Sequence, residues 1–322
     1  MFKFLRLAVF AVLPGLLSLP ASAADLYPSH GVKLIVPFGA GGPADVYARV
    51  LAQHLSEVTK QSFVVENRPG AGAIVGTDAV AKSTPDGYTL LVMSNTHTTN
   101  ESLIPNKPYE LMRDFVPVAT INYSDLLMVV HPSVEAKSVK EFIALAKKDA
   151  GKLNYASSGP GTPYHMAGEL FKAMSATDIA HIPHKASGDA RNSVLSGNVQ
   201  MMFDAVTTMS ELAKGGQVRA LATTGLTRNP LTPDLPTVAE TVPGYEATIW
   251  LGVMAPKDTP KEVITFLNTT INKVIELPAV KETWLKQGAI PLVKTPPEFD
   301  AYLRKDIEKW AQVVKVSGAK VQ

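Results

Sequence analysis

The 322-residue chain contains no cysteine. Disulfide frameworks, zinc ribbons, thiol nucleophiles, cysteine-ligated iron–sulfur clusters and an acyl-cysteine membrane anchor are thereby excluded. The chain also lacks a charge excess: 31 Lys and Arg stand against 29 Asp and Glu, without the basic surplus of a dedicated nucleic-acid binder. No apolar run reaches the roughly 18–20 residues that a membrane-spanning helix needs. The run from Leu7 to Leu19 has 13 residues and is broken by Pro14 and Gly15.

That short run is informative in another way. Lys3 and Arg6 precede it and Ala21-Ser22-Ala23 follows it, the order of a cleavable secretory signal peptide. Residues 1–23 are therefore expected to be removed. Without Lys3 and Arg6 the 31 basic residues become 29, equal to the acidic count. The expected mature protein is exported, soluble, close to neutral and unanchored, with a stability that comes from its core.

From Asp25 onward short apolar strands alternate with amphipathic helices. Strands are expected at 32–38, 63–66, 88–94, 126–131, 153–157, 179–184, 199–204, 218–223 and 250–255. Helix starts are readable between them. Ser138 with Glu141, Thr237 with Glu240 and Thr295 with Glu298 have the spacing of capping boxes, and Pro163, Pro260 and Pro296 suit a first helical position. The alternation predicts an α/β fold with mostly parallel sheets. The late strand at 250–255 needs a sheet to join, so the chain is expected to form two lobes with two crossovers: 24–122 plus 250–322, and 123–249. The long helix from Pro296 is expected to pack back on the first lobe.

Two stretches mirror each other. Ile35-Val-Pro-Phe-Gly-Ala-Gly-Gly-Pro-Ala-Asp45 and Asn154-Tyr-Ala-Ser-Ser-Gly-Pro-Gly-Thr-Pro163 each read as strand, glycine turn and helix start. Such a turn presents free backbone N–H groups and the positive end of a helix dipole at the carboxyl end of a strand, where ligands sit in open α/β sheets. The first turn reads equally as an anion nest or as a tight turn in which Asp45 balances the helix dipole. The second reads as an oxyanion receptor, as a helix cap by Thr162, or as both. It is not Gly-x-Ser-x-Gly, so no nucleophile elbow is present. The first is not a Walker loop, and Asn67-Arg-Pro-Gly-Ala-Gly-Ala-Ile-Val-Gly76 does not have dinucleotide-binding spacing.

Other polar residues carry weaker signals. Asn95-Thr-His-Thr-Thr-Asn100 reads as a polar loop after a strand, either a source of ligand donors or simply solvated; Asn95 is its candidate. His165 stands one turn inside the helix after the second glycine turn. Lys185 ends a strand as a candidate cation or a surface amine, with Ser187 as a candidate helix cap. Asp204 ends an apolar strand. His181 and His184 lack accompanying acids and HExxH spacing, so neither metal nor cofactor is expected.

Pro37-Phe-Gly-Ala-Gly-Gly-Pro-Ala-Asp-Val-Tyr-Ala-Arg49 resembles the first signature of the Bug family, the periplasmic solute-binding proteins of tripartite tricarboxylate transporters. Val65-Glu-Asn-Arg-Pro-Gly-Ala-Gly72, Ser83-Thr-Pro-Asp-Gly-Tyr-Thr-Leu90, Tyr155-Ala-Ser-Ser-Gly-Pro-Gly-Thr162, Met201-Met-Phe-Asp204 and Leu235-Pro-Thr-Val-Ala-Glu240 continue the resemblance in order. It implies a clamshell with a carboxylate between two α/β lobes. It implies ligand contacts from Phe38, Ala40, Gly41, Gly42 and Asp45 in one lobe. From the other it implies Ser157, Ser158, Gly159, Thr162 and Asp204, with His165 in support. His184, Ala186 and Asp189 depart from the family's usual Tyr, Gly and Pro around Lys185.

The expected function is capture of a small carboxylate (a di- or tricarboxylate, an aromatic carboxylate or an acidic amino acid) and its delivery to membrane permease subunits. The expected receptor is a monomer that catalyses nothing. A ligand-loaded sensor is the alternative, and an exported hydrolase a more distant one, since no nucleophile–base pair stands at a known spacing.

Overall fold

A computed structural model describes residues 27–319; the expected signal peptide, 1–23, lies outside them. The chain begins with β1 (Val32–Val36), α1 (Pro43–Thr59), β2 (Phe63–Asn67), α2 (Ile74–Ala81), β3 (Thr89–Ser94), α3 (Asn95–Leu103), α4 (Leu111–Asp114) and β4 (Phe115–Ser124). It continues through β5 (Leu126–Val130), α5 (Val139–Lys148), β6 (Asn154–Ser157), α6 (Pro163–Ser175), β7 (Ala180–Pro183), α7 (Ser187–Leu195), β8 (Met201–Ala205), α8 (Val206–Lys214) and β9 (Arg219–Thr223). It ends with β10 (Ile249–Pro256), α9 (Lys261–Ile275), α10 (Pro278–Lys286), β11 (Ala289–Pro291) and α11 (Pro296–Ser317).

The strands form two sheets, ordered β11-β4-β10-β3-β1-β2 and β7-β6-β8-β5-β9. Each is buried on both faces. On one face of the first sheet Val32, Leu34 and Val36 meet helices α1 and α9, and on the other Ile35 and Leu91 meet Tyr109 and Phe299. In the second sheet Leu126, Met128 and Val130 pack on α5 and α6, while Leu127 and Val129 face α7 and α8. This period-2 division follows from the alternating direction of side chains along a strand.

The sheets are mixed, not mostly parallel. β1, β2 and β3 run parallel, as do β6, β7 and β8, but β10 is antiparallel to β3 and β4, and β5 to β8 and β9. The crossovers impose this. β4 leaves the first lobe at its carboxyl end, with Asp125 alone between it and β5, and β10 re-enters from the same side. Neighbouring strands that exit and enter at one edge must point in opposite directions. The same holds for β5, which enters the second lobe, and β9, which leaves it.

Four further expectations change. Strand β4 is not among the strands expected from the sequence because Pro117 weakens its pattern; in the structure a register irregularity of the β10 pairing falls between the partners of Ala119 and Pro117. Pro260 is the N-cap of α9, not its first residue. Helix α11 packs on both lobes: Phe299 and Leu303 belong to a first-sheet core, but Trp310 and Val313 join Phe142, Phe171 and Tyr245 beside the second sheet. It is a third connection between the lobes, and Gly252 of β10 leaves it room, since a Cβ there would lie 2.4 Å from the Phe299 ring. The boxes at Thr237 and Thr295 are complete, whereas at Ser138 only the hydroxyl half forms because Glu141 accepts from Lys137 N–H.

Candidate functional site

Four helices begin at one cavity of about 170 Å³ between the lobes. The first lobe brings Gly42, Pro43 and Ala44 of the α1 start and Ser94 and Thr96 of the α3 start. The second brings Thr162, Pro163 and Tyr164 of the α6 start and Ser187 at the α7 start. Phe38, Ile249 and Leu251 supply apolar wall and Ser158 a hydroxyl. Each helix start carries roughly half a positive charge from its unpaired N–H groups, so the cavity favours an anion although, among the described residues, no Lys or Arg lines it. No side chain caps α1 or α7, which leaves their first-turn N–H groups to water or a ligand.

Carboxylate chemistry shapes the first turn. Asp45 is buried, and its Oδ2 accepts the Gly41 N–H at 2.9 Å and Arg49 Nε at 3.0 Å. Burial pushes its carboxyl up, but hydrogen bonds from Arg49, Gly41 and Asn67 outweigh that and hold it below the usual range. Asp45 therefore tethers the turn from beneath. Gly41 takes φ +76, a left-handed conformation that glycine adopts without strain.

Imidazoles shape the second turn. His165 Nδ1 accepts the Gly161 N–H at 3.1 Å. Ser157 Oγ accepts the Gly159 N–H at 3.1 Å and lies 2.6 Å from His181 Nε2. Thr162 Oγ1 donates to the Gly159 carbonyl at 2.7 Å and accepts from His165 N–H. The rings of His165 and His181 stack with centroids 4.1 Å apart. Burial pushes His165 down to about 4 although the Glu169 carboxylate pulls it up, and burial, with His165 and Lys172 beside it, pushes His181 down to about 3, so both are neutral at pH 7.

Of the residues singled out in the sequence, Phe38, Gly42, Ser158 and Thr162 line this cavity, and Gly41 lines an adjoining chamber. Asp45, Ser157, Gly159 and His165 instead hold the two turns in shape. Ala40 and Lys185 are exposed and line neither space. Asp204 is fully buried, its Oδ2 2.5 Å from Arg191 Nε; burial raises its carboxyl while Arg191 draws it back down. Asn95 is buried, with Nδ2 donating to the Thr248 carbonyl.

The segment after β3 is a helix, not a solvated loop. Residues 95–100 are all buried. Ser94 Oγ accepts the Thr96 N–H, and His97 Nδ1 accepts the Ser94 N–H at 3.1 Å. Thr77 Oγ1 donates to the Ala73 carbonyl and so accepts from His97 Nε2 at 2.9 Å, which puts the His97 proton on Nε2. The sequence carried one usable signal for this: Ser94 and His97 have capping-box spacing, with imidazole in place of the usual Glu. Ser187 is likewise the first residue of α7; Ala186 is the cap.

The Ser157–His181 pair has the separation of a nucleophile and its base. Ser157 is fully buried and engaged with Gly159, and an imidazole pushed to about 3 is too weak a base to draw a proton from serine near neutrality. Among the described residues no group of three or more His, Asp or Glu is placed to hold a metal, and no helix is long and apolar enough to cross a membrane.

Two lobes on separate sheets, crossed by the chain and meeting at opposed helix N-termini, define a clamshell solute-binding protein. The family model described as tripartite tricarboxylate transporter family receptor matches residues 47–319, and the chain belongs to that family. It is 38% identical to protein BugT of Bordetella pertussis over 303 residues, 93% of each chain. Among solved structures it is similar to Rpa4515 of R. palustris with adipate (34% identity, TM-score 0.83, covering 92% of this chain and 100% of the other). It is also similar to MatC of Rhodopseudomonas palustris with bound malate (27% identity, TM-score 0.78, covering 89% and 100%).

Proposed function

We propose that this protein is a periplasmic receptor that closes on a small carboxylate and delivers it, as a monomer, to the permease subunits of a tripartite transporter. The observation that carries the reading is the meeting of four helix N-termini, two from each lobe, at one cavity. An anion there touches both lobes only when they are closed, so it stabilises the closed form by differential affinity. The adipate and malate in the two similar structures support a carboxylate. Direct contacts are assigned to Phe38, Gly42, Ser158 and Thr162. The moving bodies follow the two sheets, close to 24–122 with most of 250–322 against 123–249, hinged at Asp125, the 224–248 segment and α11, whose Trp310 end packs on the second lobe.

The energetics are adequate without a cationic grip. Helix termini contribute roughly 0.3–1 kcal/mol each toward an anion, and hydrogen bonds to a carboxylate about 1.5–3 kcal/mol each. After ordering and desolvation, micromolar affinity, about −8 kcal/mol, is within reach. A thermal-shift screen of mono-, di- and tricarboxylates, aromatic acids and acidic amino acids tests the reading. A ligand at 100 times its Kd adds about 2.7 kcal/mol of stability. Small-angle scattering of the stabilised complex should show a smaller radius than the free protein. Failure of every acid to stabilise the chain would overturn the carboxylate reading.

A further inference from the structure

Beyond Pro43 and Ile249 the cleft opens into a second chamber of about 310 Å³. Gly41 and Tyr47 line it from the first lobe, Arg191 and Ala205 from the second, and Ser124 at the crossover. Lys286 stands at its rim, 73% exposed and paired with Glu282. Arg191 differs: its side chain is only 25% exposed, held by the wholly buried Asp204 through Nε at 2.5 Å and Nη2 at 3.3 Å.

The pair accounts for Asp204 but not for all of Arg191. A guanidinium has five N–H donors, and two of them meet Asp204. Among the described residues Nη1 makes no hydrogen bond, and Arg191 lines the chamber. The Nη1 and Nη2 side is the fork that matches a carboxylate with two parallel hydrogen bonds. The carboxylate behind it fixes the fork's position and discourages adventitious anions.

We propose that Arg191 receives a second carboxylate of the ligand, so that the molecule bound is a diacid with an apolar spacer. One acid group lies at the four helix termini, the spacer passes Pro43 and Ile249, and the other group meets the guanidinium. Asp204 is then a positioning residue for Arg191. This inference rests on the carboxylate-receptor reading and adds which residue selects the ligand class.

Calorimetry on matched pairs separates the two: pentanoate against glutarate, hexanoate against adipate, heptanoate against pimelate. The wild-type protein should bind at least one diacid ten or more times more tightly than its monoacid partner. In Arg191→Gln that ratio should fall at least tenfold. Arg191→Lys keeps the charge beside Asp204 but replaces the fork with a point donor, and should lose at least threefold. It also keeps the test open if Arg191→Gln, with Asp204 buried and unpaired, does not fold. Binding of monoacids as tight as of diacids overturns this inference and leaves the receptor reading standing, as does an unchanged ratio in the folded variants. Binding of no acid of either kind overturns both.

Discussion

Gly41 and Gly161 face the cleft from opposite lobes with nearly the same backbone, φ +76 and +75. Their surroundings are opposite. Around Gly41 there is open space, and a carboxylate, Asp45, holds its N–H. Gly161 is pressed against the other lobe, where an added Cβ would lie 2.7 Å from Leu103 and 3.6 Å from Asn100, and a neutral imidazole, His165, holds its N–H. The same local need for a left-handed residue is thus met in one lobe by a turn free to meet ligand and in the other by a turn that also forms the seam between lobes. Matching backbone geometry does not imply matching work.

Substitution of the two glycines tests this most directly. Alanine in a left-handed conformation costs about 1–2 kcal/mol at either position. At Gly161 the methyl also meets Leu103 across the lobes, and overpacking adds about 1–3 kcal/mol that falls on the closed form. Gly161→Ala should therefore weaken ligand binding roughly a hundredfold by calorimetry and block the ligand-induced compaction seen by scattering. Gly41→Ala, whose strain falls on the open and closed forms alike, should lower unfolding stability by about 1–2 kcal/mol, change binding less than about threefold and leave compaction intact. Equal losses in the two variants would mean that the seam does not matter.

Gly159 sharpens the contrast between backbone and charge within the second lobe. It has φ +115, and its Cβ would lie 3.4 Å from the His184 carbonyl. Gly159→Val should weaken binding about tenfold or more through backbone strain of roughly 1–3 kcal/mol. If binding survives that change yet disappears in Lys185→Ala, the ligand is held by a cationic grip and not by the backbone turns.

Acid should release the second turn before the first. His165 is depressed from about 6.5 to about 4 by burial. A depressed folded-state value means that its contribution is complete above the unfolded value near 6.5 and is lost as pH falls through about 4. Protonation of Nδ1 removes the acceptor of the Gly161 N–H. Asp45 is held below the usual carboxylate range and keeps the Gly41 N–H at the same pH. Amide NMR should show Gly161 titrating near pH 4 while Gly41 stays unchanged there; the reverse order would break the assignment of tethers.

The smaller effects concern caps and surface charge. Thr162→Ala removes the hydroxyl that caps α6 and should cost about 1 kcal/mol in denaturant unfolding. Helix α1 has no such side chain to lose. Lys185→Ala should change affinity less than about twofold, the usual worth of an exposed charge, in titrations at low and at physiological salt.

Much of the site was legible because glycine turns and helix starts are local. Gly41, Gly42, Gly159 and Thr162 stand where a turn of a few residues already demands them, and the turns' place after apolar strands put them at the ligand edge of a sheet. The roles of Asp45 and His165 were half legible: each lies four residues beyond the glycine it tethers, a spacing that suits a tether as well as a ligand contact. Helix α3 reads from the sequence as a polar loop, a source of ligand donors or solvated, because its run of Thr, Asn and His shows no apolar periodicity. Its burial depends on Thr77 and Asp306, 20 and 208 residues from their partners His97 and Thr98.

The alternation of strands and helices and the two mirrored turns follow from the order of residues alone. Those rest on backbone preferences and side-chain periodicity that act within a dozen residues. Tertiary structure alone decided the direction of β10, the sharing of α11 between lobes, the pairing of Arg191 with Asp204 and the contact of Gly161 with Leu103. Each depends on which distant segments meet at the crossovers, and strand direction, burial and charge pairing take their values only after the chain has closed those loops.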